Sequence, residues 1–267
     1  MEQHYYPEAP VCIQEAETKR ETGLCVNLGK NEIVESEAGT YICHAIKTRI
    51  ITKDDLLVDV VSEYAKPHLK KGDILFLSEK MVSCSQGRAF PTYMIKPGFL
   101  ARFLCKYVSK SSGGIGLGLP EMMQCAINEV GGFRIFLASC ASVVGRVFGQ
   151  RGWFYRVAGD RVKGIDGPEE YTIPPLNTYI VLTPAEPDRA AAEVAKGLDD
   201  VLVLIVDVND IGAQVIGSSE EIDRPFMESL LRQNPLGQND QSTPMGILRP
   251  LEEEVTQISE LETCLET

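Results

Sequence analysis

Val201-Leu202-Val203-Leu204-Ile205-Val206-Asp207-Val208-Asn209-Asp210-Ile211-Gly212 decides the fold class of this chain. An apolar run this short and this rich in β-branched residues reads as a strand buried on both faces, because an equally buried helix would be longer and show a 3.6-residue period. The run ends on acid. A carboxylate at the exit of a buried strand is costly to desolvate unless a cation, a hydrogen-bond network or water compensates it, so Asp207 requires a structural partner or a ligand. Alternation sends Asp207 and Asn209 to one side and Asp210 to the other, if the strand continues that far. Asp and Asn also start turns readily, which gives the same residues a purely structural reading.

Working outward, the same alternation of elements recurs. Upstream lie a strand over Leu176 to Thr183 and an Ala-rich helix over Pro187 to Leu198. Ile74-Leu75-Phe76-Leu77 is a second buried strand, entered by a turn at Lys70-Lys71-Gly72-Asp73 and ending on Ser78-Glu79-Lys80, so it too delivers polar groups at its C-terminal end. The ordered pattern begins at Tyr41 to Ile46. Thr52 to Asp55 then fits an N-cap and acidic first turn, with Leu57, Val60, Val61 and Tyr64 at helical spacing until Pro67. Gln86-Gly87-Arg88 reads as a turn, Leu100 to Val108 as a short helix with Phe103 and Leu104 inward, and Arg134 to Phe148 as a helix packed closely through small residues such as Ala138 and Gly145. The whole predicts an α+β protein of mixed α/β architecture. Residues 1–40 form an extension or short surface strands, 41–250 the body, which has room for two subdomains, and 251–267 an acidic helix that docks on the body or on a partner chain. Within the body, Gln233 to Gln238 and Ser242 to Arg249 are Gly/Pro-punctuated and read as loops, which often carry binding groups.

Composition narrows the function. A net charge of −12 with no basic run disfavours nucleic acid and anionic membrane as partners. The N-terminus lacks the parts of a signal peptide, and no apolar run approaches the ~20 residues needed to span a bilayer, so the expected location is the cytoplasm. Eight cysteines lie scattered without a CxxC pair, and three histidines are too dispersed for a nucleophilic pair, so the thiols read as reduced core residues and not as a zinc site. Lys110-Ser111-Ser112-Gly113-Gly114-Ile115-Gly116-Leu117-Gly118-Leu119-Pro120 is different. Its glycines allow close backbone approach, and Pro120 opens a helix over Glu121 to Val130 capped by Gly131, which together make a plausible phosphate cradle. It lacks the Gly-Lys-Ser/Thr ending of a P-loop and the spacing of a dinucleotide fold, and the same glycines also suit a flexible or tightly packed loop.

Three stretches in this order carry a resemblance: Lys71 to Ser83 with Gln86-Gly87-Arg88; Val157-Ala158-Gly159 through Ile165-Asp166-Gly167-Pro168; and Ile205 to Gly212. They resemble the coenzyme F-420:L-glutamate ligase (gamma-glutamyl ligase) family, whose founding members add glutamate to a deazaflavin coenzyme. The likeness spans roughly residues 45 to 250. Within the family, the Gly-Ile-Gly-Leu-Gly loop and the Asn-Pro-Leu-Gly-Gln motif mark a bacterial branch of unassigned substrate. The resemblance implies a homodimeric ligase that uses ATP or GTP with Mg²⁺ or Mn²⁺ to activate a carboxylate for attack by an amino acid, glutamate in the founding members. Aspartates matching Asp166 and Asp207 hold metals in the family, and Ser78-Glu79-Lys80 matches its nucleotide-contacting segment. Two departures stand out. Cys84 occupies the place of a basic residue, and Val-Asn-Asp-Ile-Gly after Asp207 replaces a Thr-x-Gly-Arg-Pro pattern and its arginine.

Residue chemistry agrees with this reading. Hard divalent cations prefer oxygen ligands and leave room for phosphate and water, so Asp166 and Asp207, with Asn209 or Asp210 as a third ligand, form the expected metal set and the catalytic pair. Lys80, Arg88 and Lys110 are expected at phosphate, with backbone donors from Gly113 to Gly118, Gly114 and Gly116 among them, and Gln238 beside the cosubstrate. The expected reaction joins an amino acid to a small carboxylate or coenzyme through an acyl phosphate. The alternatives are a protein of ligase fold that binds a nucleotide or phosphometabolite without turnover, which the two departures favour, and an assembly protein acting through its acidic C-terminal helix.

Overall fold

The computed structural model describes residues 23–107, 116–150 and 152–251. The expected elements at Lys110 and Gly114 and in the C-terminal helix therefore lie outside the described residues. Nine strands and nine α-helices follow along the described chain: β1 Gly23–Cys25, β2 Ile33–Ser36, β3 Gly39–Lys47, α1 Leu57–Tyr64, β4 Ile74–Ser78, α2 Glu79–Ser85, β5 Ala89–Pro91, α3 Phe99–Leu104, α4 Pro120–Val130, α5 Gly132–Val147, α6 Trp153–Ala158, α7 Asp160–Lys163, β6 Tyr179–Val181, α8 Pro187–Gly197, β7 Leu202–Asn209, β8 Gly212–Ser218, α9 Arg224–Leu231 and β9 Met245–Pro250.

Seven strands make one mixed sheet in the order β1-β3-β9-β4-β7-β8, with β2 on β3. β7 is the buried strand that the apolar run demands. Val203 and Ile205 point into a core shared with α1 and α8, while Leu204 and Val206 point into a second core shared with β8 and α9. Two covered faces explain why every residue of the run is apolar, since strand side chains alternate. A third core belongs to a helical unit of α3 to α7 closed by the small β5–β6 sheet. The expectation of mixed α and β structure is met.

Two expectations change. Ser242 to Arg249 is not a loop, because Met245–Pro250 is a central strand paired to both β3 and β4. Its Gly246 looked like loop punctuation, yet a Cβ there would lie 2.4 Å from the Phe76 ring, so the glycine makes room for a core aromatic. Phe103 does not point inward: α3 buries Ala101 and Leu104, three residues apart, and leaves Phe103 on its outer side. Within the stretch read as an extension or short surface strands, residues 23–36 hold β1 and β2, which pair with β3 in the main sheet, and the loop between them reaches the cavity wall described below. Among the described residues no single helix is long and apolar enough to cross a membrane, although the sharply bent pair α4 and α5 meets that length and composition together.

Candidate functional site

The parallel pairing of β4 with β7 builds the centre of the site. Ser78 stands opposite Val206 in register, so the residues that follow, Glu79 at the start of α2 and Asp207 near the end of β7, come side by side where β4 stops. Ligand groups gather at such carboxyl ends because the strands stop and side chains face an open crevice. Ser78 itself caps α2, its hydroxyl accepting from Met81 N at 3.2 Å. Asp207 shares the face of Val203 and Ile205, as alternation predicts, and lies on the same side as α2.

Asp166 arrives from the helical unit. Its N–H donates to Val181 O at 2.9 Å and its carbonyl accepts from Val181 N at 3.0 Å, which holds it beside β6. Two glycines allow that approach. A Cβ on Gly164 would meet Thr183 Oγ1 at 2.8 Å and Glu79 Oε2 at 3.6 Å, and one on Gly167 would meet Met122 Sδ at 2.6 Å. Lys80 Nζ then sits 3.2 Å from Asp166 Oδ2.

These groups line a cavity of about 820 Å³. Pro168 to Ile173 forms one wall and Leu236 to Pro244 another, and the Tyr171 hydroxyl is hydrogen-bonded to Glu169 and Gln238 between them. The electrostatics are those of a crowded acid site. Burial, then Asp207 and Asp166, push the Glu79 carboxyl well above its usual range, with Lys80 opposing. Burial and Asp166 likewise raise Asp207, against Lys163 and Lys80. For Lys80, burial works against the charge, but Asp166, with help from Glu169 and Cys84, outweighs it and raises the ammonium pKa. Cys84 lines the same cavity with its thiol pushed up to about 12 by burial, so it is neither a cation nor a thiolate nucleophile.

The remaining expected residues divide. Gln238 lines the cavity, its Oε1 accepting from Asp210 N at 3.2 Å and Asn234 Nδ2 at 3.3 Å. Asn209 and Asp210 line it too but carry structural duties. Asn209 Oδ1 accepts from Ile211 N and Gly212 N in the β7–β8 turn, and Asp210 Oδ1 accepts from Lys30 Nζ at 2.8 Å and Asn234 Nδ2 at 2.9 Å. Arg88 does not line the cavity; it pairs with Glu129 at 2.7 Å and donates to Thr183 O. Gly116 begins a short turn before α4 whose next residue, Leu117, is buried in the helical core.

The structure adds residues that sequence reasoning passed over. Lys30 and Asn27 lie in the stretch read as peripheral. Asn27 Nδ2 donates to Pro235 O at 2.8 Å and Thr243 Oγ1 at 2.9 Å, holding the far wall of the cavity, and no local signal marks it. Arg49, bidentate on Asp55 at 2.7 and 2.9 Å, and Tyr171 complete the lining.

A divalent cation suits this donor set. The facing groups are carboxylates, hard oxygen donors whose mutual repulsion a cation would relieve. Among the described residues no three or more His, Cys, Asp or Glu side chains are gathered into a ready cage, so phosphate oxygens and water would have to complete the coordination.

Residues 45–211 match the family model described as F420-0:Gamma-glutamyl ligase. A stretch of 78 residues is 41% identical to an uncharacterized protein of Methanocaldococcus jannaschii, covering 28% of this chain and 26% of that protein. The chain thus spans about a quarter of the length of the curated relative it matches.

Proposed function

We propose, for a chain that belongs to the F420-0:Gamma-glutamyl ligase family, an ATP- or GTP-dependent amide ligation that joins an amino acid, glutamate by family analogy, to a small carboxylate or coenzyme. The observation that carries this reading is the convergence of Glu79, Lys80, Asp166 and Asp207 from three separate elements on one cavity. An acceptor carboxylate oxygen attacks the γ-phosphorus, the nucleoside diphosphate leaves, and an acyl phosphate forms. The amine then attacks the acyl carbon and phosphate departs. Lys80, held by Asp166, faces the charge that develops on the phosphoryl oxygens. Glu79, its pKa raised by burial and by its acidic neighbours, takes the proton released by the attacking amine. Asp166 and Asp207 hold Mg²⁺ or Mn²⁺, which when bound neutralises the nucleotide's phosphate charge. Asn209 and Asp210 shape the strand end that presents Asp207.

Calorimetric titration with ATP and with GTP, each with and without Mg²⁺, tests the reading on the native chain and on Asp207→Ala. Metal-dependent binding abolished by the substitution, followed by amino-acid-dependent release of nucleoside diphosphate, is the expected result. A second reading, a nucleotide- or phosphometabolite-binding protein without turnover, draws on Cys84 and on the commitment of Arg88 to Glu129 and Thr183. Binding that no amino acid or carboxylate converts to turnover would favour it.

A further inference from the structure

The cavity is short of positive charge. Among the described residues that line it, six carry carboxylates (Glu79, Asp166, Glu169, Glu170, Asp207 and Asp210) and two are cations, Arg49 and Lys80. Both cations are taken. Arg49 is bidentate on Asp55, and Lys80 sits 3.2 Å from Asp166. Lys30 matches Asp210 at 2.8 Å. That leaves Glu79, Glu169, Glu170 and Asp207 without an ion pair among the described residues. The reaction proposed above brings more negative charge to the same place, on the nucleotide phosphates and on the carboxylate to be activated. A divalent cation on Asp166 and Asp207 offsets part of it. The amine donor is the remaining reactant, and it is the one that can arrive positively charged. An acidic donor such as glutamate would instead set a further carboxylate against an acidic wall whose described cations are committed elsewhere, and like charges brought together select against a partner.

Two observations place the positive groups. Glu79 is 8% exposed, lines the cavity and has no hydrogen bond among the described residues, so a buried carboxyl waits without a partner where the attacking amine gives up its proton. Glu169 lies on the wall beside it, close enough to Lys80 to act on its charge. The Tyr171 hydroxyl donates to the Glu169 carboxylate and accepts from the Gln238 amide on the opposite wall. Gln238 is fixed in turn, since its Oε1 accepts from Asp210 N at 3.2 Å and from Asn234 Nδ2 at 3.3 Å. Tyr171 is thereby tethered at both walls as part of the lining. A carboxylate next to an aromatic side chain is the chemistry that recognises an ammonium group, through a charge-assisted hydrogen bond and a cation–π contact.

We infer that the amine donor of this chain carries two positive groups, as a diamine or a basic amino acid does, with the reacting amine at Glu79 and the second ammonium at Glu169 and Tyr171. This rests on the ligation reading above and exchanges the glutamate of the founding members for a donor of opposite charge. The two acids have separate tasks. Glu79 takes the proton of the attacking amine, while Glu169 anchors the far end of the donor and so orients the near end toward the acyl carbon. The same carboxylate turns an acidic amino acid away.

Calorimetric titration of the full chain in Mg²⁺ buffer, with and without a non-hydrolysable ATP or GTP analogue, tests this with 1,4-diaminobutane, L-lysine and L-glutamate as probes. The expected result is that at least one cationic probe binds about tenfold or more tighter than L-glutamate and that Glu169→Gln removes this lead, the scale of losing one charge-assisted hydrogen bond. Tyr171→Leu should weaken the cation more than Tyr171→Phe, which keeps the ring. Glu170→Gln takes the same charge from an exposed position on the same wall and should shift affinity by less than about threefold, which separates a contact from a change in the general field. A lead of 1,4-diaminobutane over L-lysine identifies a simple diamine, and the reverse a basic amino acid. Glutamate binding as tightly as both cations, no binding of either cation, or a cationic preference that survives Glu169→Gln overturns the inference. The two readings fail separately. Nucleotide binding without cationic preference strikes the donor alone, whereas cationic preference without nucleotide binding strikes the ligation reading and leaves the ammonium subsite standing.

Discussion

At the N-terminal end of β4, Asp73 has a fully buried carboxylate that accepts from Arg249 at 2.7 Å through both Oδ atoms and from Lys70 N at 2.7 Å. At the C-terminal end of the same strand, Glu79 is buried beside Asp207 and Asp166, and the nearest cation, Lys80, is already engaged with Asp166. The first acid is matched and serves the fold, joining the turn before β4 to β9. The second is crowded by its own kind, which lowers stability and is tolerated where charge is needed for chemistry. Burial alone therefore does not mark a functional acid; the balance of its neighbours does.

The comparison can be broken at either end. Asp73→Ala leaves the Arg249 guanidinium without its buried partner and should cost about 3–5 kcal/mol of stability, read by urea unfolding, with nucleotide binding per folded molecule unchanged. Asp207→Ala should do the reverse. Diphosphate release should fall by roughly 10²–10³-fold, the scale of losing one preorganised charge-stabilising group, while the unfolding midpoint holds or rises. A fall in midpoint as large as that of Asp73→Ala would put Asp207 on the structural side.

Glu79 sharpens the contrast through pH. The folded protein holds the Glu79 proton more tightly than the unfolded chain does, so its contribution is fully present below the ordinary glutamate value of about 4.3 and is lost as pH rises through the raised value. In metal-free protein the thermal midpoint should fall over that window, and Glu79→Gln should flatten the fall and raise the midpoint by a few degrees above it. A profile identical in the variant would remove Glu79 from the crowded set. The smallest effect belongs to Lys30→Met. Its partner Asp210, held below the usual carboxylate range by Lys30 and Asn234, is exposed, so stability should change by less than about 1 kcal/mol. Substrate KM should rise a few-fold through the loosened wall, with kcat nearly unchanged.

Much of the sheet was legible because its evidence is local. The runs Ile74 to Leu77 and Leu202 to Val206 announce strands covered on both faces, and the helices at Leu57, Pro120 and Pro187 are punctuated at their own ends by proline or glycine. β8, β9 and α9 were not. Gly246 reads as a break until Phe76 is seen lying across it, and α9 begins in a polar stretch whose Asp223 caps it by accepting from Phe226 N at 3.1 Å. Phe103 shows the same limit in reverse: an aromatic on a short helix reads as core, and only the packing of Ala101 and Leu104 turns it outward.

By itself the sequence determined the mixed α/β class, the acid at the end of β7, the polar triplet at the end of β4 and the family to which these belong. Tertiary structure decided which acids meet. The parallel register of β4 and β7 puts Glu79 beside Asp207, a bridge to Val181 brings Asp166 to both, and Arg88 is drawn away to Glu129. The physical reason is range. Hydrophobic periodicity and turn chemistry act over a few residues and are written along the chain, whereas the field around a carboxylate is set by groups that only strand register and helix packing bring together.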